Sequence, residues 1–201
     1  MKKSGFFALI SRMRYINRWG LMRSSIEENV QEHSHMVAVL AHALGLIARE
    51  IFKKDVSAER LAVLALYHDA SEILTGDLPT PVKYINPEIK AAYKSVEQLS
   101  AEKLLGLIPE ELRESYTYPL LGEYTEDNSY EFKLLKAADS LSAYIKCIEE
   151  RKAGNLEFIS AEAQSLEKIR AMGLEEAEYF IEKFIPAFEL NLDELWDGEK
   201  K

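Results

Sequence analysis

The chain has 201 residues, of which 47% are hydrophobic and 29% charged, a composition typical of a soluble globular protein with a sizeable core. Its formal net charge of −9 is opposite in sign to that of most nucleic-acid-binding proteins, so we expect no nucleic acid polymer as a partner. The single cysteine, Cys147, excludes an internal disulfide and favours a reducing cytoplasm, and no apolar run approaches the length of a membrane span, so we expect no membrane.

Helical periodicity dominates the sequence without convincing alternation of period two, which predicts an all-α fold. The first elements are a short amphipathic helix, a polar connector, a long helix capped by Asn29 and a helix capped by Ser57. They occupy residues 5–16, 17–28, 29–52 and 57–75. Residues 76–83 are predicted to form a loop, because Pro79 and Pro81 remove backbone donors and keep the preceding residues extended.

The second half of the chain is also predicted to be helical. Asn86 and Pro87 mark a helix start, with an N-cap followed by proline at the first helical position, and a weaker helix follows Pro109. Gly154 and Asn155 end another long helix. These helices, with three shorter ones, are placed at residues 86–107, after 109, and at 128–153, 157–172, 175–184 and 191–196. No boundary divides the chain, so residues 1–201 are predicted to be one helical domain with a frayed tail at 197–201.

The dipeptide His68-Asp69 is the most informative feature of the sequence. It follows an almost wholly apolar run at residues 61–67, which predicts a helix buried on most of its faces. An ionisable pair at the end of such a helix is costly unless it is paired or bound to a metal ion. Glu72 lies four residues after His68 and three after Asp69, so it neighbours both on a helix surface. Three ionisable groups on one turn indicate a functional site rather than residues that simply face the solvent.

Such a site needs ligands from other helices, because adjacent residues on a helix point about 100° apart. His33 and Asp139 lie in two other predicted helices, and the small residues around Asp139 predict that it is buried. The polar neighbours of His33 leave a surface position open as the alternative. Imidazoles and carboxylates are ligands for a divalent ion that activates water. His35 and His42 lie on other faces of the helix than His33, which favours a single ion over a dinuclear site.

Two further segments offer groups for a phosphorylated ligand. Arg18 in the connector has a guanidinium fork suited to phosphate oxygens, and Trp19 offers a flat face for a base or sugar. Taken alone, the pair is explained more simply by a tryptophan at the edge of the core and a solvated arginine. Asp77 and Thr80 follow the His68-Asp69 helix in the proline-rich segment, which is well placed to hold a substrate, and Lys83 is a weaker candidate.

The order His33, His68-Asp69, Asp139 and four longer segments carry a resemblance to a known family. The four segments are Ile16-Asn-Arg-Trp19, Glu28-Asn-Val-Gln-Glu-His-Ser34, Tyr67-His-Asp-Ala-Ser-Glu72 and Thr75-Gly-Asp-Leu-Pro-Thr-Pro-Val-Lys-Tyr84. The order resembles the metal signature of the HD-domain phosphohydrolases, and the segments resemble the bacterial YfbR-like 5′-deoxynucleotidases. The Arg-Trp pair and the Gly-Asp-Leu-Pro-Thr-Pro-Val-Lys segment make the resemblance specific.

The resemblance implies an all-α HD-domain helical bundle, a homodimer, and hydrolysis of deoxyribonucleoside 5′-monophosphates, with selection against ribonucleotides. It implies one divalent ion, most often cobalt or manganese, held by His33, His68, Asp69 and Asp139. Arg18, Asp77 and Glu72 are then expected to be catalytic, with Arg18 orienting the phosphate. The residues expected to bind substrate are Arg18, Trp19, His33, Asp69, Asp77, Leu78, Pro79, Thr80 and Lys83.

Two alternatives remain open at this point. One is another phosphohydrolase of the superfamily, acting on a nucleoside triphosphate or a cyclic dinucleotide. The four histidines argue against a dinuclear site of the cyclic-dinucleotide type, and the few cationic residues around the motifs argue against a triphosphate site. The other is a non-catalytic nucleotide-binding module in which the metal is a structural staple. Such a module has no need of Glu72, Arg18 or Asp77.

Overall fold

The computed structural model describes residues 3–83, 85–122 and 129–196, and within these ranges the fold is helical, as predicted, with no strand. Helices α1 to α11 span, in chain order, Phe6–Ile10, Val30–Leu46, Ala58–Tyr67, Glu72–Thr75, Thr80–Lys83, Pro87–Leu105, Glu110–Leu121, Ser129–Lys152, Ile159–Ala171, Glu175–Lys183 and Leu192–Trp196. Turns of 3-10 helix occupy Ser11–Tyr15, Leu156–Phe158 and Ile185–Glu189, and a π-helical turn, Ile47–Ile51, extends α2. The predicted helix start at residue 128 and the predicted frayed tail at 197–201 lie outside the described residues.

The predicted caps explain where several helices begin. The Asn29 side chain accepts hydrogen bonds from the backbone of residues 31 and 32, and Glu32 returns one to the Asn29 backbone, which completes a capping box. Ser57 Oγ accepts from Arg60 N at 3.1 Å, and Asn86 Oδ1 accepts from Ile89 N at 2.7 Å. These bonds satisfy backbone donors that have no partner inside the helix.

The predicted helix at 57–75 is wrong in one respect, because it is interrupted at the His68-Asp69 pair. His68 Nδ1 lies 2.7 Å from Ala65 O, the carbonyl that the Asp69 N–H would use in a regular α-helix. The following hydrogen bonds reach back three residues instead of four, from Ala70 N to Tyr67 O and from Glu72 N to Asp69 O. The chain therefore turns tightly between α3 and α4, and the His-Asp pair lies in this turn.

The predicted loop at 76–83 is also wrong in part, since its second half is the single turn α5. The Pro79 carbonyl accepts from Val82 N at 2.8 Å and from Lys83 N at 3.1 Å. Pro81 lies in the first turn of α5, where the missing N–H of proline would have had no helical partner. Proline here helps to start a helix rather than to exclude one.

The core consists of two clusters of buried hydrophobic side chains that meet near the His68-Asp69 turn. The larger lies between α2, α3 and α8 and includes Leu44, Leu61 and Leu141. The smaller contains side chains from α1, α6 and α7, and from the turn itself. Its members are Phe6, Ala70, Leu104, Ile108 and Leu120. Because Ala70 directly follows Asp69, the apolar packing on both sides fixes the position of the turn.

One described segment, Val30–Ile51, is long and apolar enough to cross a membrane, which the sequence analysis did not anticipate. It comprises α2 and its π-helical turn. Half of the segment is buried inside the fold. Its contacts with α3 and α8 account for its apolar composition, because a helix surrounded by other helices is hydrophobic on most of its faces.

Helices α2 and α3 are in close contact at Gly45. A Cβ atom at residue 45 would lie 2.7 Å from Ala58 Cα and 2.8 Å from Ala58 Cβ. The two helices are antiparallel, because Gly45 near the end of α2 faces Ala58 at the start of α3, while His33 and His68 meet at the opposite ends with ring centroids 5.4 Å apart. Glycine at residue 45 therefore permits the interhelical distance that the histidine pair requires.

We expect Gly45→Ala to destabilise the protein by about 1–3 kcal/mol, because the added methyl group overlaps the backbone of α3 and the helices must move apart. The measurement is urea unfolding followed by circular dichroism. Gly5→Ala is the matched control, since no atom of the described ranges lies within 4 Å of a Cβ at that position. Equal stability of the two variants would contradict the tight packing inferred at Gly45.

Candidate metal centre

Four side chains from α2, α8 and the turn after α3 converge on one point. The Nε2 atom of His33 lies 3.2 Å from Asp139 Oδ1 and 3.5 Å from Asp69 Oδ2. The Nε2 atom of His68 lies 3.1 Å from the same Asp69 oxygen. One ligand atom from each of His33, His68 and Asp139 lies within 4.8 Å of the others. The structure thus brings together the four residues that the sequence analysis proposed as ligands.

The second nitrogen of each imidazole is held by a neighbour. His68 Nδ1 donates to Ala65 O, because a carbonyl oxygen can only accept, so a neutral His68 ring has its lone pair on Nε2. His33 Nδ1 lies 3.1 Å from Ser142 Oγ. Both Nε2 atoms are buried and make no hydrogen bond within the described part of the chain. Two buried imidazole nitrogens that face two carboxylates form a donor set that suits a divalent cation.

The charges of this cluster are strongly interdependent. Burial lowers the pKa of His33 below its ordinary value. Burial also opposes protonation of His68, but the adjacent Asp69 carboxylate outweighs it and raises the pKa of His68 to about 9. Burial disfavours ionised carboxylates, yet His68 lowers the pKa of Asp69 and His33 lowers the pKa of Asp139, in the latter case to about 2. Both carboxylates are therefore ionised at neutral pH, and a bound cation would compete with the proton on His68.

Glu72 is a carboxyl group in the opposite protonation state. It is 7% exposed, and its Oε2 has no hydrogen-bond partner among the described residues. Burial, and then the negative charges of Asp69 and Asp77, raise the pKa of Glu72 to about 9. Asp77 is half-buried, and burial raises its pKa as well. Glu72 therefore carries a proton at neutral pH, so it can act as a general acid beside ionised Asp69.

Arg18 and Trp19 lie beside this acidic cluster. Arg18 is the cation whose charge acts on His33, Asp69, Glu72 and Asp77, and its Nη1 is buried without a partner in the described structure. An unpaired guanidinium donor that faces an acidic cluster is suited to a bound anion.

The backbone of Trp19 adopts a positive φ of 61°, which is uncommon for a bulky residue. Its Nε1 donates to Glu28 Oε2 at 2.9 Å, and its ring lies 5.3 Å from that of Phe158. Trp19 thus packs at the edge of the core, and it also follows directly after the site's arginine.

The segment from Asp77 to Lys83 follows α4 and ends with the single turn α5. Leu78 and Pro79 are half-buried, and the Thr80 side chain lies outside the described residues. Lys83 Nζ lies 2.6 Å from Glu97 Oε1 and 4.7 Å from the centre of the Tyr93 ring, while its charge still influences Glu72 and Asp77. Asp77 and Lys83 are thus coupled electrostatically to the cluster, whereas Leu78 and Pro79 are partly buried near it in sequence.

The structure excludes the surface position left open for His33 and corrects one prediction, the burial of Asp139. The polar sequence around His33 allowed a surface position, but His33 is fully buried, since α2 turns this face toward α8. Asp139 was expected to be buried, but its side chain is 37% exposed, although the small residues beside it are buried. His35 is exposed and His42 is half-buried on other faces of α2.

Three residues in the immediate surroundings escaped the sequence analysis. Ser142 lies one turn after Asp139 on α8, and that spacing could have indicated a partner for a ligand. Tyr93 Oη donates to Gly76 O at 3.2 Å and so braces the turn before Asp77. Glu28 accepts from Trp19. No sequence pattern indicates the last two contacts. Neither pair shares a helix, so whether the two side chains or groups meet depends on the tertiary fold.

Comparison with known proteins is consistent with this geometry. A family model described as 5′-deoxynucleotidase YfbR-like matches residues 5–188. The 5′-deoxynucleotidase YfbR of Shigella boydii is 50% identical to the chain over 195 residues, which cover 97% of each protein.

Two solved structures share the fold. An HD-domain phosphohydrolase from Listeria innocua superposes with a TM-score of 0.77 at 26% identity, covering 91% of this chain and 87% of that one. The HD phosphohydrolase of cyanophage S-2L, bound to dA and one catalytic Zn²⁺ ion, gives a TM-score of 0.64 at 20% identity, covering 92% and 98%. These likenesses confirm the HD-domain helical fold.

We expect Ser142→Ala to weaken binding of a divalent ion by about tenfold, because second-sphere partners orient a ligating imidazole and affect its affinity at that scale. The measurement is calorimetric titration of metal-free protein with Mn²⁺ or Zn²⁺. The matched control is Ser140→Ala, a buried serine on the same helix whose hydroxyl has no hydrogen-bond partner among the residues that the structure describes. An unchanged affinity in Ser142→Ala would show that Ser142 does not orient His33.

Proposed function

The chain belongs to the YfbR-like 5′-deoxynucleotidase family, and we propose that it hydrolyses deoxyribonucleoside 5′-monophosphates to a deoxyribonucleoside and phosphate. The observation that carries the proposal is the juxtaposition of two differently protonated carboxyl groups, Asp69 and Glu72, with buried imidazole nitrogens and an unpaired guanidinium donor. Ionised ligands, a proton donor and an anion-binding group are the elements that hydrolysis of a phosphate ester requires.

We propose that His33, His68, Asp69 and Asp139 hold one divalent ion. The two buried Nε2 atoms and the two ionised carboxylates support this ligand set. When bound, such an ion lowers the pKa of a coordinated water and neutralises charge on phosphoryl oxygens. Cobalt or manganese is the expected metal from the resemblance, and the cyanophage relative contains zinc, so the choice among these three is a matter for experiment.

Arg18 is proposed to bind the phosphate of the substrate. Its guanidinium can donate to the equatorial oxygens of the transferred phosphoryl group, where charge is located in the transition state. Glu72 holds its proton at neutral pH, and it can donate that proton to the 5′ oxygen as the bond between phosphorus and this oxygen breaks. Asp77, whose pKa is also raised, is proposed to contact the substrate beside Glu72.

Selection against ribonucleotides is proposed to come from steric exclusion of the 2′-hydroxyl. The candidate wall is Trp19 or the segment Asp77, Leu78, Pro79 and Thr80, with Lys83 at its end. The position of Trp19 supports this role, because its partly buried ring directly follows Arg18 and a rigid aromatic ring there can leave too little space for the added hydroxyl.

The test is phosphate release from deoxyribo- and ribonucleoside 5′-monophosphates, by protein stripped of metal and then supplied with cobalt, manganese, zinc or magnesium. We expect release from the deoxyribonucleotides alone, restored by at least one of the ions. Release from nucleoside triphosphates in their place would identify another phosphohydrolase of the superfamily. Metal-dependent thermal stability without release of phosphate from any nucleotide would identify a non-catalytic nucleotide-binding module that the metal ion stabilises.

We also propose that the protein is a cytoplasmic homodimer, as the resemblance implies. Exposed apolar side chains on α2 and α3 support a subunit interface, since such side chains are commonly covered by a partner. They are Met36, Val39, Val63 and Leu66. A sedimentation mass near that of one 23.0 kDa chain would contradict the dimer.

We expect Glu72→Gln to reduce phosphate release by at least about 100-fold while metal content stays unchanged, because the amide cannot donate a proton to the departing oxygen. Metal content is measured by atomic absorption and turnover by phosphate assay. Glu59→Gln, an exposed glutamate on α3, is the control. Undiminished turnover in Glu72→Gln would remove Glu72 from the mechanism.

A further inference from the structure

The connector between residues 16 and 29 presents Arg18 and Trp19 without a helix or sheet to support it. Within the described residues its regular backbone pairing is a single bridge, between Asn17 and Asn29. Side chains must therefore supply the remaining support. One carboxylate, Glu28, contacts both residues of the Arg-Trp pair.

Glu28 makes three contacts with the pair. Its carbonyl accepts from Arg18 N at 2.9 Å, and its Oε2 accepts from Trp19 Nε1 at 2.9 Å. The same Oε2 lies 3.7 Å from Arg18 Nε, and both side chains are largely buried. A single oxygen atom thus fixes the indole ring and attracts one edge of the guanidinium.

The bond to Trp19 has a conformational consequence. A non-glycine residue at a φ of 61° persists only where its surroundings hold it there. The Phe158 ring supports one side of the indole, and Glu28 fixes the position of its nitrogen. Loss of the Glu28 oxygen would remove the one hydrogen bond of the Trp19 side chain that the structure gives.

The contact with Arg18 determines which donors remain available. Because the Nε edge faces Glu28, the buried Nη1 has no protein partner in the described structure. The charge of Arg18 lowers the pKa of Asp69, Glu72 and Asp77, so the guanidinium with its unpartnered donor lies near the acidic cluster. Glu28 therefore orients the guanidinium toward the place where a phosphate would bind.

Glu28 is itself held in a rigid part of the connector. The buried Glu150 carboxylate accepts from Ser25 N at 2.7 Å and from Ile26 N at 3.1 Å. Lys146 donates to Glu150 at 2.6 Å and to the Ile26 carbonyl. On its other side Glu28 precedes Asn29, the capped start of α2. The chain is thus held on both sides of Glu28, by hydrogen bonds to Glu150 two and three residues before it and by the capped start of α2 directly after it.

We propose that Glu28 is a positioning residue, which holds Arg18 and Trp19 in the geometry needed to bind the substrate's phosphate and nucleoside. This proposal rests on the proposed function, in which Arg18 and Trp19 contact a deoxyribonucleoside 5′-monophosphate. Glu28 acts through these two residues and takes no part in the chemical step. Its removal is therefore expected to affect substrate affinity more than turnover.

The kinetic test compares Glu28→Ala and Glu28→Gln with the matched control Glu27→Ala, an exposed glutamate of the same connector. We expect Glu28→Ala to raise KM for a deoxyribonucleoside 5′-monophosphate about tenfold and to change kcat less than threefold. Glu28→Gln keeps an oxygen for the indole N–H but loses the charge near Arg18, so we expect a smaller rise in KM. Glu27→Ala should match the unsubstituted protein.

A spectroscopic readout separates positioning from general destabilisation. Trp19 and Trp196 are the two tryptophans of the chain, and Trp196 is 88% exposed, so Trp196→Phe leaves Trp19 as the fluorescence reporter. In that background we expect Glu28→Ala to shift the emission of Trp19 to longer wavelength, while Glu28→Gln and Glu27→Ala leave it in place. Circular dichroism confirms that each variant is folded.

The outcomes are distinguishable. In an Arg18→Ala background, the loss of kcat/KM caused by Glu28→Ala should fall from tenfold to threefold or less, because Glu28 then has one fewer residue to position. An undiminished loss, an unchanged KM in Glu28→Ala, or unchanged Trp19 emission would overturn the proposal. If the unsubstituted protein releases no phosphate, the proposed function is wrong. The fluorescence measurement still decides whether Glu28 fixes the position of the Trp19 ring.

Discussion

The close antiparallel packing of α2 against α3 is the constraint on which the candidate site depends. Gly45 and Ala58 bring the two backbones together at one end, and His33 and His68 meet at the other. The residues from Ala58 to Tyr67 form a regular helix, so the position of His68 relative to α2 follows from this contact and from the length of α3. Asp139 then reaches the same point because α8 packs against both helices in the larger hydrophobic cluster. The geometry of the polar site is thus a consequence of apolar packing.

Once the four side chains are brought together, their electrostatic interactions separate the acidic groups into two kinds. Asp69 and Asp139 each face an imidazole, so they remain ionised although both are partly removed from solvent. Glu72 faces Asp69 and Asp77 instead, and it therefore retains its proton. The separation needs no difference in residue chemistry, because the environment of each carboxyl group decides its protonation state. The tight turn after His68 contributes to this difference between the carboxyl groups, because Glu72 N donates to Asp69 O and the two residues are therefore close together.

The sequence indicated the helical class, the caps at Asn29, Ser57 and Asn86, and the set of residues that meet at the site, because these follow from periodicity, local hydrogen bonding and motif order. It did not indicate the interruption after Tyr67, since that depends on a side-chain bond from His68 to a carbonyl in the same helix. Pro79 and Pro81 were interpreted as breakers although proline in a first turn favours a helix. The exposure of Asp139 and the burial of His33 depend on how α2 and α8 face each other, which is a tertiary property.

The support of the connector differs in kind from that of the ligand helices. His33, His68 and Asp139 lie on helices or at a helix end, so backbone hydrogen bonds fix the main chain at each of them. Arg18 and Trp19 have no such support, and buried acids replace it: Glu150 accepts from two backbone amides of the connector, and Glu28 accepts from the residues it serves. A carboxylate can accept several hydrogen bonds at once, so one such residue can fix a segment that has little secondary structure. The positive φ of Trp19 fits this arrangement, because a strained residue is stable where neighbouring contacts over-determine its conformation. The rigid part of the site is therefore held by hydrophobic packing between helices, and the part proposed to recognise substrate is held by charged groups in the connector and on α8.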